Sequence, residues 1–139
     1  MTILVSACLL GENCKYNGGN NYCQELVKRL AGHTVIPVCP EVLGGLPIPR
    51  ISAEIVNGEV INRDGTSVDT EFRKGAKTAL EIARENKPDL IILQSRSPSC
   101  GVGKIYDGTF TGKLVPGNGV FAKMAIDDGF DVADVEEWT

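Results

Sequence analysis

Leu90-Ile91-Ile92-Leu93, followed shortly by Ser97-Pro98-Ser99-Cys100-Gly101, is the stretch from which the fold is read. A short β-rich run that begins after Pro88-Asp89 and ends in Ser, Pro and Gly describes a buried strand whose carboxyl end opens into a loop. Cys100 then stands at a strand exit. Ile3-Leu4-Val5-Ser6-Ala7 leads in the same way to Cys8, and Thr34-Val35-Ile36-Pro37-Val38 leads to Cys39. The first of these runs, about Thr2 to Ala7, is apolar on both faces, as in a central parallel strand covered by helices on both sides. If the three strands are parallel neighbours, their carboxyl ends share the sheet edge at which open α/β folds place their ligands. Three cysteines distant in sequence would converge there.

The segments between the strands supply the layers. The loop Leu9 to Asn20, with three glycines and three asparagines, has the length and composition of a binding loop, and Cys14 within it is free to fold back beside Cys8. A helix is expected from about Asn21 to Ala31, capped by Asn20 or Asn21 and stopped by Gly32. Its inward stripe is Cys23, Leu26, Val27 and Leu30, which makes Cys23 a small buried hydrophobe. His33 takes a surface turn and receives no role. Gly44-Gly45-Leu46-Pro47-Ile48-Pro49-Arg50 describes a fixed, non-repetitive wall over the sheet edge. Asn57-Gly58, between Glu54-Ile55-Val56 and Glu59-Val60-Ile61, signals a two-residue hairpin.

Val68-Asp69-Thr70 opens a long helix to about Asn86, with Asp69 or Thr70 as cap and Gly75 placed for close approach to a neighbour. Gly101 to Gly112 is too glycine-rich for a helix and is read as cover for the sheet edge. Pro116-Gly117-Asn118-Gly119 begins a helix to about Asp128, with Val120, Phe121, Met124 and Ala125 inward. A strand over about Phe130 to Ala133 and a polar tail complete the chain. The expected fold is a three-layer, Rossmann-like α/β architecture: an open, mainly parallel sheet with right-handed crossovers and a small β-hairpin insertion. Residues 1–139 are read as one domain.

A formal net charge of −4 gives no support to a broad basic surface for nucleic acid, so a small-molecule partner is expected. No apolar run approaches the roughly 18 to 20 residues of a spanning helix, and the amino terminus lacks a basic segment ahead of its apolar residues. The expectation is a soluble, cytoplasmic protein. An odd count of five cysteines in a chain long enough for an ordinary core favours thiols kept for metal or chemistry over a disulfide framework.

Cys8, Cys39 and Cys100 admit zinc, an iron–sulfur cluster or a nucleophilic thiol. The closely spaced cysteine pairs of structural zinc knuckles are absent, and so is the bacterial ferredoxin run. A four-iron cluster accepts single thiolates from separate loops, which suits the pattern better. Three thiolates would leave one iron open to substrate. Four, with Cys14 as the fourth, would make a carrier of electrons or a non-catalytic metal module, the rival reading. Glu41 and Ser97 stand close in sequence to Cys39 and Cys100, placing an acid–base carboxyl and a hydroxyl beside the metal. Taken singly, the first is as well explained as a helix or turn cap and the second as a Ser-Pro turn residue.

Ser6-Ala7-Cys8-Leu9-Leu10-Gly11 with Cys14, Cys39-Pro40-Glu41 followed by Gly44 to Arg50, and Ser97-Pro98-Ser99-Cys100-Gly101 together resemble a bacterial family, once labelled a domain of unknown function, that includes the iron–sulfur-dependent thiouracil desulfidases. The resemblance covers nearly the whole chain. It implies hydrolytic removal of sulfur from a thiolated nucleobase or similar thioamide, with a [4Fe-4S] cluster on Cys8, Cys39 and Cys100 and a catalytic pair in Glu41 and Ser97. Cys14 matches a family cysteine that does not ligate. Lys15, Asn17, Ser52 and Gln94 depart from the family's common arginine, aspartate, proline and lysine.

Overall fold

A computed structural model describes residues 1–139. Its centre is a parallel sheet of four strands in the order β2-β1-β5-β8, formed by β1 (Thr2–Ser6), β2 (Thr34–Val38), β5 (Leu90–Leu93) and β8 (Val132–Asp134). The register sets Ile3 beside both Val35 and Leu90, so the three cysteine-bearing connections leave adjacent strands in one direction. Pro37 is accommodated because β2 lies at the sheet edge, where one row of ladder hydrogen bonds is not required.

Alternation along β1 and β5 divides the core into two layers. Leu4, Ile91 and Leu93 pack with Phe72, Ala76, Ala79, Phe121 and Ala125 from α3 (Asp69–Asn86) and α4 (Val120–Asp127). Ile3, Val5 and Ile92 pack on the other face with Leu26 and Leu30 of α1 (Gln24–Leu30) and with Val135 of α5 (Val135–Trp138). The three-layer α/β architecture is therefore the one expected. No helix is long and apolar enough to cross a membrane.

Several boundaries differ for identifiable reasons. β1 stops at Ser6, and Ala7–Leu10 form a 3-10 helix closed by Gly11, so Cys8 lies in a tight helical turn. α1 begins later than its apolar spacing suggests, because the Asn20 side chain accepts from the Tyr22 N–H at 3.0 Å and holds an extended turn there. Cys23 becomes its N-cap and packs half-buried on the α1 layer. Asp69 does not cap α3: its carboxylate accepts from the Val60 N–H at 3.0 Å and from Arg73 Nε at 2.8 Å, tying the helix start to the hairpin.

Ala53–Val56 and Glu59–Asn62 form the expected hairpin (β3, β4), with Asn57 and Gly58 both at positive φ. Four elements go beyond the sequence-based expectation. α2 (Pro40–Leu43) starts directly at Cys39; Lys104–Tyr106 and Leu114–Pro116 pair as a second antiparallel hairpin (β6, β7) within the glycine-rich cover; and the polar tail closes into α5, capped by Asp134.

Candidate functional site

Each cysteine-bearing connection is held by its own local structure. Cys39 is the N-cap of α2, with Pro40 in the first helical position, where a missing N–H has no consequence. α2 lies directly on α3: a methyl group on Gly75 would overlap the Pro40 carbonyl, and one on Gly44 would overlap the Glu71 carbonyl. Gly75 thus serves the close approach its position suggested. The Ser97 to Gly101 loop closes over the start of α4, whose first N–H groups donate to the carbonyls of Pro98 and Ser99 at 2.8 and 2.9 Å. Gly119 is needed at this junction, since a Cβ there would lie 2.5 Å from the Ser99 carbonyl carbon.

The three connections border one cavity of about 530 Å³, lined by Cys8, Cys14, Cys39, Cys100, Glu41, Arg50, Ser97 and Ser99 among others. The sheet thus gathers Cys8, Cys39, Cys100, Glu41 and Ser97 around one space. All five cysteines are free thiols. Cys23 is not among the cavity residues. No group of three His, Cys, Asp or Glu side chains is arranged to hold a single metal ion.

The sulfurs are partly buried and supplied with donors. Cys8 Sγ accepts from Asn21 Nδ2 at 3.5 Å, and Ser99 Oγ lies 3.6 Å from Cys100 Sγ. Burial pushes the Cys8 thiol above its ordinary value, against the Asn21 hydrogen bond. Burial likewise pushes Cys100 up to about 12, opposed by hydrogen bonds from Ser6 and Ser99. Such thiols stay protonated unless a cation compensates their charge, and a bound metal centre is the cation that deprotonates a thiol outright. Cys14 is also pushed up to about 12, by burial first and then by the neighbouring Cys39. The Cys14 loop folds onto Cys39, whose Sγ points at the Cys14 carbonyl at 3.9 Å.

Glu41 is fixed at both carboxylate oxygens. Arg50 Nε donates to Oε1 at 3.0 Å, within an ion pair only 7% and 15% exposed, and Ser99 Oγ donates to Oε2 at 2.7 Å. Arg50 also donates to the carbonyls of Cys14 at 2.9 Å and Pro47 at 3.2 Å, so it locks the Cys14 loop and the proline-rich wall to the carboxylate. Ser97 does not touch Glu41 directly. Its Oγ accepts from the N–H groups of Ser99 and Cys100 at 3.1 and 3.0 Å and lies 2.9 Å from Ser99 Oγ.

Hydrogen-bond accounting orients this chain. A hydroxyl carries one proton and two acceptor lone pairs. Ser99 directs its proton to the carboxylate, the strongest acceptor within reach. Both lone pairs of Ser97 face N–H groups, so in the Ser97–Ser99 pair Ser97 is the donor. The order of donation is Ser97 to Ser99 to Glu41. Ser99 and Arg50 were quoted in the sequence motifs without a role, and no local signal marked them: their partners lie 58 and 9 residues away. Of the departures from the family pattern, Lys15, Ser52 and Gln94 line the cavity.

Residues 3–137 match the family model described as 2-thiouracil desulfurase. The uncharacterized protein YbbK of Bacillus subtilis (strain 168) is 37% identical over 145 residues, covering 97% of this chain and 96% of its own length. The solved structure of TudS, a [4Fe-4S]-dependent thiouracil desulfidase, superposes with a TM-score of 0.92 at 35% identity, covering 98% of this chain and 91% of that one. By full-length sequence match and by fold, the chain belongs to the 2-thiouracil desulfurase family.

Proposed function

We propose that this protein hydrolyses the C=S group of a thiolated nucleobase such as thiouracil to C=O, consuming water and releasing sulfide, with a [4Fe-4S] cluster held by Cys8, Cys39 and Cys100. The observation that carries this reading is the convergence of these thiols and Glu41 on one cavity, together with membership of the family. The donor set fits the cluster: three free thiols from three separate connections border one cavity without forming a ready-made site for a single ion, Asn21 donates to Cys8 Sγ, and Ser99 Oγ lies 3.6 Å from Cys100 Sγ. When bound, a cluster with three protein thiolates supplies a soft Lewis acid for a substrate sulfur.

The remaining work falls to side chains. Glu41, clamped by Arg50 and Ser99, is placed to take a proton from the attacking water. Ser97, whose lone pairs are held by the Ser99 and Cys100 N–H groups, donates its one proton to Ser99 and so fixes the Ser97–Ser99–Glu41 hydrogen-bond relay that positions the carboxylate. The buried Arg50 guanidinium holds the carboxylate in one position at the cavity wall, where a mobile one would lose catalytic alignment. Incubation of anaerobically reconstituted protein with 2-thiouracil and 4-thiouracil is expected to release sulfide in step with the oxo product. Brown, cluster-loaded protein that releases none from either compound would refute the proposal.

A further inference from the structure

Phe110 is a large aromatic residue that the core does not use. It belongs to neither apolar cluster, yet it is half-buried because it lines the same cavity as Cys8, Cys39, Cys100 and Glu41. Its backbone is left-handed, with φ of 59°, a conformation bulky residues rarely adopt and one that gathers at binding sites when the surroundings impose it. Glu54, 8% exposed, accepts from the Phe110 N–H at 3.1 Å and from the Gly108 N–H at 3.0 Å with a single carboxylate oxygen, pinning the β6–β7 loop to β3. The Arg63 guanidinium lies 5.3 Å from the Phe110 ring centroid, and Arg63 also lines the cavity.

We infer that Phe110 is the stacking platform for the flat ring of the substrate, that Arg63 completes the aromatic and cationic wall, and that Glu54 is the positioning residue holding the platform in place. This rests on the proposed activity only for the identity of the ring, a thiolated pyrimidine. An aromatic face with a guanidinium beside it recognises a planar heterocycle through its π surface. It offers little to a small acyclic thioamide. The platform would therefore select ring substrates through the face of the heterocycle rather than through its sulfur.

The test is calorimetric titration of 2-thiouracil and of thioacetamide into the anaerobic, cluster-bearing protein and its variants, each carrying Glu41→Gln to suppress turnover during the titration. Phe110→Leu, which keeps an apolar side chain but loses the π face, is expected to weaken 2-thiouracil binding by about 10-fold and to leave thioacetamide binding unchanged. Glu54→Gln should shift the same ratio in the same direction by a smaller factor. Phe110→Met serves the comparison if the leucine variant does not fold. Equal binding of 2-thiouracil by parent and variant, parallel loss of both ligands, or no binding of 2-thiouracil by the parent would each overturn the inference. Phe110-dependent binding of 2-thiouracil, with no sulfide released by the protein that retains Glu41, would sustain the platform while removing the desulfidase reading.

Discussion

Glu41 and Ser97 are coupled through Ser99, so a substitution at any of the three should be felt at the others. Glu41→Gln keeps the side chain's size and removes the proton acceptor; turnover should fall about 100-fold or more, within the range of general-base catalysis, with the cluster absorbance retained. Ser99→Ala breaks the only side-chain link between Ser97 and Glu41, and its effect on turnover should equal or exceed that of Ser97→Ala. A Ser99→Ala enzyme with parental turnover would dismiss the relay. The thiols divide differently. Serine at Cys8, Cys39 or Cys100 replaces a soft donor with a hard one and should abolish the visible charge-transfer band, whereas serine at Cys14 or Cys23 should leave it intact. Loss of the band in Cys14→Ser would instead favour a four-thiolate, non-catalytic centre.

At the scale of elements, the α2–α3 crossing decides where Glu41 points. Gly75→Ala drives a methyl group into the Pro40 carbonyl, and overpacking of this kind costs about 1–3 kcal/mol. Because α2 carries Glu41 and is capped by Cys39, thermal melts should show the loss of stability and assays a fall in turnover. At the start of α3, burial opposes ionisation of Asp69, but hydrogen bonds from Arg73 and the Val60 N–H outweigh it and hold the carboxyl below its ordinary 3.8. A depressed folded-state value means the stabilisation is complete above the unfolded value and fades as pH falls through the folded one. Asp69→Asn should therefore destabilise the protein at pH 7, with denaturant midpoints converging on the parent's below about pH 4.

These elements also show what a sequence discloses. Strand exits at Cys8, Cys39 and Cys100, the Asn57-Gly58 hairpin and the close-packed Gly75 were legible, because each depends on a run of neighbouring residues. The four-residue α2 was not, being too short for an apolar period; its existence depends on packing against α3. The β6–β7 hairpin was hidden because its three-residue strands are embedded in glycines, and its pairing is supported from outside by Glu54. The Ser99–Glu41 and Arg50–Glu41 bonds join connections that only the folded sheet brings together. Family resemblance supplied the catalytic pair; the order of its hydrogen bonds required the structure.

For the whole molecule, the proposed cluster would bind together three connections that are otherwise joined by the sheet beneath them and by a few hydrogen bonds centred on Glu41, Arg50 and the Cys14 carbonyl. In the absence of a cation, the cavity confronts buried thiols with one another: Cys8 and Cys100 are raised by burial and Cys14 by burial and Cys39. Ligation would convert Cys8 and Cys100 into bonded anions, and affinity for the folded site adds to folding stability because the unfolded chain presents no assembled site. The cluster-bearing protein should accordingly melt higher than the metal-free form, by roughly 5 °C or more if the bond to the three connections is worth at least 1–2 kcal/mol. Removal of iron with a chelator under anaerobic conditions should return the melting temperature to the metal-free value. The gain should vanish in Cys39→Ser and survive in Cys14→Ser. Equal melting temperatures with and without a spectroscopically intact cluster would mean that it does not span the connections after β1, β2 and β5, and the assignment of Cys8, Cys39 and Cys100 as its ligands would have to be abandoned.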